Sequence, residues 1–114
     1  AYDNLASTSW LSTALPSWNK IDFGQDENIT RITYNVRNDG GGVQAPKGYV
    51  IESSDDDAVW TTRSTVTDGA KDQNNDITHD FDDQSASARY WRIKCTVGNG
   101  ESRIGLEKLE WFGY

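Results

Sequence analysis

Residues 55 to 57 are three consecutive aspartates inside "SSDDDAVW". Adjacent carboxylates could collect a hard cation such as calcium, provided further oxygen ligands converge from elsewhere in the chain. They could equally build a turn, because Asp side chains hydrogen-bond nearby backbone amides. The flanking runs "YVIES" and "VWTTRS" both read as strands, so a hairpin tip is the expectation for the acidic triplet. The other groups that could do chemistry are sparse. His79 is the only histidine and Cys95 the only cysteine. His79 lies in "NDITHDF" and is expected to face solvent. Cys95 alternates in phase with Trp91 and Ile93 and is expected to be a buried thiol. No nucleophile elbow or Cys-His signature accompanies them, and the carboxylates cluster in turn-rich stretches. Gly40-Gly41-Gly42 lacks the following helix and the Lys-Ser/Thr pair of a phosphate loop. The chain is read as non-catalytic.

The elements that must position these groups are strands. "WNKIDFG" sets Ile21 and Phe23 against Lys20 and Asp22. "ITRITYNVR" sets Ile32, Tyr34 and Val36 against Arg31, Thr33 and Asn35. The same two-residue period runs through "GYVIESS", "RYWRIKCTV" and "LEKLEWFGY". Stretches rich in Gly, Asn, Asp and Pro separate them, among them "RNDGGGVQAPKG", "VTDGAKDQNND" and "VGNGES". Short alternating strands with such loops predict an all-β fold, an antiparallel β-sandwich or jelly roll.

The 114 residues suit a single domain over 1–114, read as a mature fragment or a piece of something larger. Aromatic residues make up 11% of the chain, enough to fill a core despite a mean hydropathy of -0.76. A net charge of -7 opposes nucleic acid and anionic membranes, and no apolar run approaches the length of a membrane span. A neutral ligand such as a sugar is indifferent to that charge.

Taken in order, "AYDNLASTSW", "WNKIDFG", "ITRITYNV", "APKGYVIESSDDDAVW", "ARYWRIK" and "LEKLEWFG" resemble the discoidin-like, coagulation-factor type C superfamily. This superfamily includes carbohydrate-binding modules of the galactose-binding-like fold. The resemblance covers essentially the whole chain. It implies an eight-stranded antiparallel jelly roll, a hairpin at "SDDDAVW" with Asp57 in a glycine position and Trp60 buried, and a strand "ARYWRI" in which Tyr90 or Trp91 packs the core while Arg89 and Arg92 face polar groups.

The resemblance also carries expectations about ligands. Many members hold one structural calcium near the start of the domain. Here Asp3 is kept, but Asn4 and Leu5 replace the glycine and asparagine of the pattern, and Lys108 aligns with a metal-binding glutamate. The expectation is therefore no cofactor, with Lys108 standing in for the cation and pairing with Asp3. Calcium near Asp3 is the alternative. Sugar sites in this fold lie on loops at one end of the barrel. The galactose-type positions correspond to Leu11, Arg37 and, approximately, Arg103, of which only Arg37 matches. Asn38 beside it, and Asn99, Glu101 and Ser102 in the last loop, add polar reach. Arg37, Asn38, Asn99, Glu101, Ser102 and Arg103 are thus the candidate ligand-binding residues, within loops 37–48 and 97–103. Trp10 and Trp18 correspond to core or near-core positions.

The function implied is a carbohydrate-binding or adhesion module recognising surface glycans, extracellular, on a cell surface or on a virion. The alternative is a structural or decoration domain of a virion or other surface assembly, bound to a parent or neighbouring protein. The lipid-binding role of clotting-factor members is disfavoured by the charge and by the absence of apolar spikes.

Overall fold

The computed structural model describes residues 3–12, 14–36, 44–69, 76–100 and 103–113. Eight strands run in chain order: β1 (Asp3–Leu11), β2 (Ser17–Glu27), β3 (Ile29–Val36), β4 (Pro46–Ser54), β5 (Thr61–Val66), β6 (Ile77–Asp80), β7 (Ala88–Gly98) and β8 (Gly105–Gly113). They form two antiparallel four-stranded sheets, ordered β1-β8-β3-β6 and β2-β7-β4-β5. The all-β sandwich is the architecture that the alternation predicts.

The core lies between the sheets and follows the period-two pattern. Trp91, Ile93 and Cys95 of β7 face Ile32, Tyr34 and Val36 of β3 and Leu106, Leu109 and Trp111 of β8, and all are buried. Tyr34 and Tyr49 meet edge to face across the sandwich at 6.4 Å, a favourable aromatic geometry. Burial pushes the Tyr34 phenol up to about 12. The Cys95 thiol is buried as expected, its Sγ reaching the Val97 carbonyl at 3.2 Å.

Strand direction sorts the connections between two ends. The β1–β2, β3–β4, β5–β6 and β7–β8 connections leave from one end. The β4–β5 hairpin, the β6–β7 connection and the outer ends of β1 and β8 lie at the other.

The acidic triplet is a turn. Asp56 Oδ1 accepts the backbone N–H groups of Ala58 and Val59 at 2.9 and 3.0 Å, and these amides hold its carboxyl below the usual range. Ser54 Oγ accepts the amide of Asp57 at 2.9 Å. Asp57 occupies the left-handed region at φ 62, which explains why a glycine suits this position in similar hairpins. Its carboxylate grips the Lys20 ammonium at 2.8 and 2.9 Å.

Three expectations need correction here. Trp60 is not a core residue. It is half-buried on the outer face of the β2-β7-β4-β5 sheet, with the Arg92 guanidinium 4.0 Å from its ring centroid. His79 does not face solvent: β6 turns Ile77 and His79 inward and Thr78 and Asp80 outward. Lys108 finds Asp76 at 3.0 Å and Glu110 at 3.4 Å as its carboxylates. Asp3 stands opposite Gly113, five residues further along β8, so strand register separates it from Lys108. An ammonium held by two carboxylates is the wrong chemistry for a calcium ligand, so the described donors around Lys108 do not fit that ion.

Candidate functional site

A groove opens at the loop end of the sandwich. An open groove of about 600 Å³ is lined by residues from Ser9 to Asn19. Its walls come from the end of β1 and the start of β2. These are edge strands of different sheets, so no neighbouring strand covers the gap between them. Leu11 is 64% exposed and Trp18 47% exposed. Trp10, on the floor, is buried and donates its indole N–H to Ser17 Oγ at 3.2 Å. The Leu15–Pro16 peptide in the connecting loop is cis. Trp18 shares its phase on β2 with Lys20 and Asp22, the solvent side of the strand. That phase was the available signal that its ring is outside the core, contrary to the near-core position implied by the resemblance.

The last loop is fastened to this groove. Ser12 N donates to the Ile104 carbonyl at 2.9 Å, and Ile104 N donates to Ser12 Oγ at 2.8 Å. Arg103, exposed and adjacent to Ile104, belongs to the loop fastened in this way. Asn99 serves as a brace. Its side-chain amide donates to the carbonyls of Ala45 and Gly69 at 3.1 and 3.4 Å, and its backbone N–H also donates to Ala45 at 3.2 Å. One side chain thus ties three of the connections at this end together. Arg37 and Asn38 follow the last residue of β3 at the same end but lie outside the described residues, as do Glu101 and Ser102.

A serine, a histidine and an aspartate also meet, away from the groove. Ser64 Oγ is 2.8 Å from His79 Nε2 and 3.1 Å from Asp82 Oδ2, and it accepts the Asp82 N–H at 3.2 Å. The order differs from that of a nucleophilic triad, in which the carboxylate orients the histidine and the histidine activates the hydroxyl. Here the hydroxyl sits between the other two and is 2% exposed. The His79 ring packs edge-on against Tyr49 and tilted against Phe81, at 6.0 and 5.9 Å. Burial lowers its basicity, with Asp82 and Asp80 opposing. The cluster braces β5 against β6 and the residues that follow it.

Among known proteins, the F5/8 type C domain model matches residues 1–107. Comparison with curated proteins by sequence found no match. Solved structures share the fold. A family 32 carbohydrate-binding module of Clostridium perfringens, in complex with GalNAc-β-1,3-galactose, superposes with a TM-score of 0.76 at 19% identity, over 93% of this chain and 76% of that one. Another family 32 module of C. perfringens, in complex with galactose, gives a TM-score of 0.70 at 22% identity, over 92% and 76%. A glycoside hydrolase of C. perfringens, in complex with GlcNAc-α-1,4-galactose, gives 0.70 at 21% identity, over 93% of this chain but 11% of its own length.

Proposed function

The chain belongs to the F5/8 type C domain family, and from that premise we propose that it is a non-catalytic carbohydrate-binding module that seats a sugar in the loop-end groove. The observation that carries this reading is Trp18, a half-exposed indole forming one wall of an open groove. An indole face suits the apolar face of a pyranose, and the groove's rim supplies hydrogen-bonding groups for the hydroxyls. Ser9 and Asn19 line the groove, and we assign Arg103, exposed in the loop fastened to Ser12, to the same site. Arg37, Asn38, Glu101 and Ser102 belong to connections that leave from the same end of the sandwich, and we assign them to the same site. Leu11 in place of a hydrogen-bonding side chain leaves one wall apolar, which favours a sugar presenting a hydrophobic edge there.

The bound sugars of the family 32 modules support this reading, as does the placement of the groove at the loop end of the same fold. Such a module would serve an extracellular or surface-bound parent protein as a tether to glycans. The test is a glycan array probed with the folded chain, alongside Trp18→Ala and Arg37→Ala. Binding by the native chain that is lost in both variants is the expected result. Silence across the array from folded protein would overturn the proposal and favour a structural domain seated on a protein neighbour.

A further inference from the structure

A second surface adjoins the groove, shares Trp18 with it and extends over the outer face of the β2-β7-β4-β5 sheet. Of the described Trp and Tyr residues, Trp10, Tyr34, Tyr49, Trp91 and Trp111 are in the core. The remaining three, Trp18, Trp60 and Tyr90, all stand on this one face. Each carries a cation against its ring: Lys94 Nζ at 5.3 Å from Trp18, Arg92 at 4.0 Å from Trp60, and Arg89 at 5.0 Å from Tyr90. Strand register sets them in sequence. Trp18 pairs with Lys94, Lys20 with Arg92, and Asp22 with Tyr90, in steps of two residues along β2. Each step advances about 6.7 Å, so the strip extends about 13 Å.

The charges along this strip are not evenly balanced. Arg89 is held by Asp22 at 2.7 Å, Arg92 by Glu52 at 2.8 Å, and Lys20 by Asp57 at 2.8 Å. Among the described residues no carboxylate pairs with Lys94, although the chain carries a net charge of -7. Lys94 also lines a shallow groove of about 350 Å³ with Gly48, Val50, Val66, Thr96 and Val97. Lys47, next to Gly48, likewise has no carboxylate partner among the described residues. In a chain with a large excess of acid, this aromatic face ends at Lys94, which has no carboxylate partner among the described residues.

We infer that this sheet face is a second binding surface, for an extended acidic polysaccharide whose sugar rings lie along Trp18, Trp60 and Tyr90 and whose carboxylates meet Lys94. Sugar stacking on successive aromatics is tolerant of which sugar is present, while a carboxylate opposite Lys94 supplies the charge that the fold leaves out. The surface goes beyond the loop-end groove. It needs a chain long enough to cross several strands, whereas the groove needs only a short sugar.

The experiment is affinity electrophoresis of the native chain in gels containing alginate, a uronate polymer, or hydroxyethylcellulose, a neutral one, with Lys94→Gln and Lys94→Arg run beside it. Retardation by alginate well above that by the neutral polymer is expected, weakening with added salt. Lys94→Gln should weaken alginate retardation about fivefold to tenfold, and Lys94→Arg should restore most of it. Equal retardation of native protein and Lys94→Gln by alginate would overturn the inference, as would no retardation by alginate. Either result, obtained while short sugars still bind on the array, leaves the groove reading intact. Retention by alginate with a silent array would sink the groove reading and leave this one standing. Thermal melts of both variants guard against misfolding, since Lys94 makes no described ion pair whose loss would destabilise the sheet.

Discussion

Trp18→Ala offers the sharpest test of the groove. The indole is 47% exposed, so of a full surface of about 250 Å², about 120 Å² faces solvent. A sugar stacked on one face of the ring would cover about half of that, roughly 60 Å². At about 25 cal/mol per Å² this contributes about 1.5 kcal/mol, or about a tenfold change in dissociation constant. Folding should suffer less. Without a sugar, the indole has the Lys94 ammonium 5.3 Å from its ring centroid. Such a cation–π pair is worth about 0.5–1 kcal/mol at an exposed site. Isothermal titration calorimetry with the best array ligand, paired with urea denaturation, separates the two effects. Trp18→Phe, which retains an aromatic face, should keep most of the affinity. An unchanged dissociation constant in folded Trp18→Ala would refute the argument that the sugar stacks here. So would a stability loss above about 3 kcal/mol, a value proper to a core aromatic rather than an exposed one.

Three further outcomes follow from the fold. Asp57→Val should destabilise by about 1–2 kcal/mol, because a β-branched residue resists the left-handed backbone at φ 62. Asp57→Gly should be nearly neutral, since relief of that backbone offsets the loss of an exposed ion pair, and urea midpoints of the two variants check the difference. Gly113→Ala should lower stability by about 1–3 kcal/mol, because a Cβ would stand 2.2 Å from the Asn28 carbonyl oxygen where β8 meets the start of β3. Stability should also fall as pH drops below about 6.5, the ordinary value for histidine. The unfolded chain then takes up a proton that the buried His79 ring resists, so the folded state loses ground. Denaturation at pH 7 and pH 5 measures the slope, and His79→Phe should flatten it. The carboxyls of Asp22 and Asp83, held down to about 2, add a separate loss only when pH falls below the ordinary carboxylate range.

Much of the fold could be read from period and turn chemistry. Alternation names Ile32, Tyr34 and Val36, and Trp91, Ile93 and Cys95, as inward sets, because a strand turns successive side chains to opposite faces whatever its neighbours are. The Asp triplet was legible as a turn for an equally local reason: its carboxylate and its amides lie within a few residues of each other. Asn99 was legible as a polar residue of the last loop and so as a ligand-binding candidate. Its work as a brace depends on carbonyls 30 and 54 positions away.

His79 shows where local reading stops. Its flanking residues are polar, but Tyr49 and Phe81 receive its ring and Ser64 its nitrogen. Lys108 likewise meets Asp76, across β3, rather than Asp3. For Trp18 the sequence held the phase on β2 that points the ring outward. Only the tertiary structure decided that the ring would stay uncovered, because β1 and β2 are edges of different sheets and leave a groove between them. The aromatic strip has the same origin. Trp18, Trp60 and Tyr90 are far apart in the chain, and it is the pairing of β2 and β4 with β7 that sets them on one face. The sequence alone determines which side of its own strand each residue occupies. Which strands become neighbours, and so which side chains can act together, is settled by long-range pairing and the burial it makes possible.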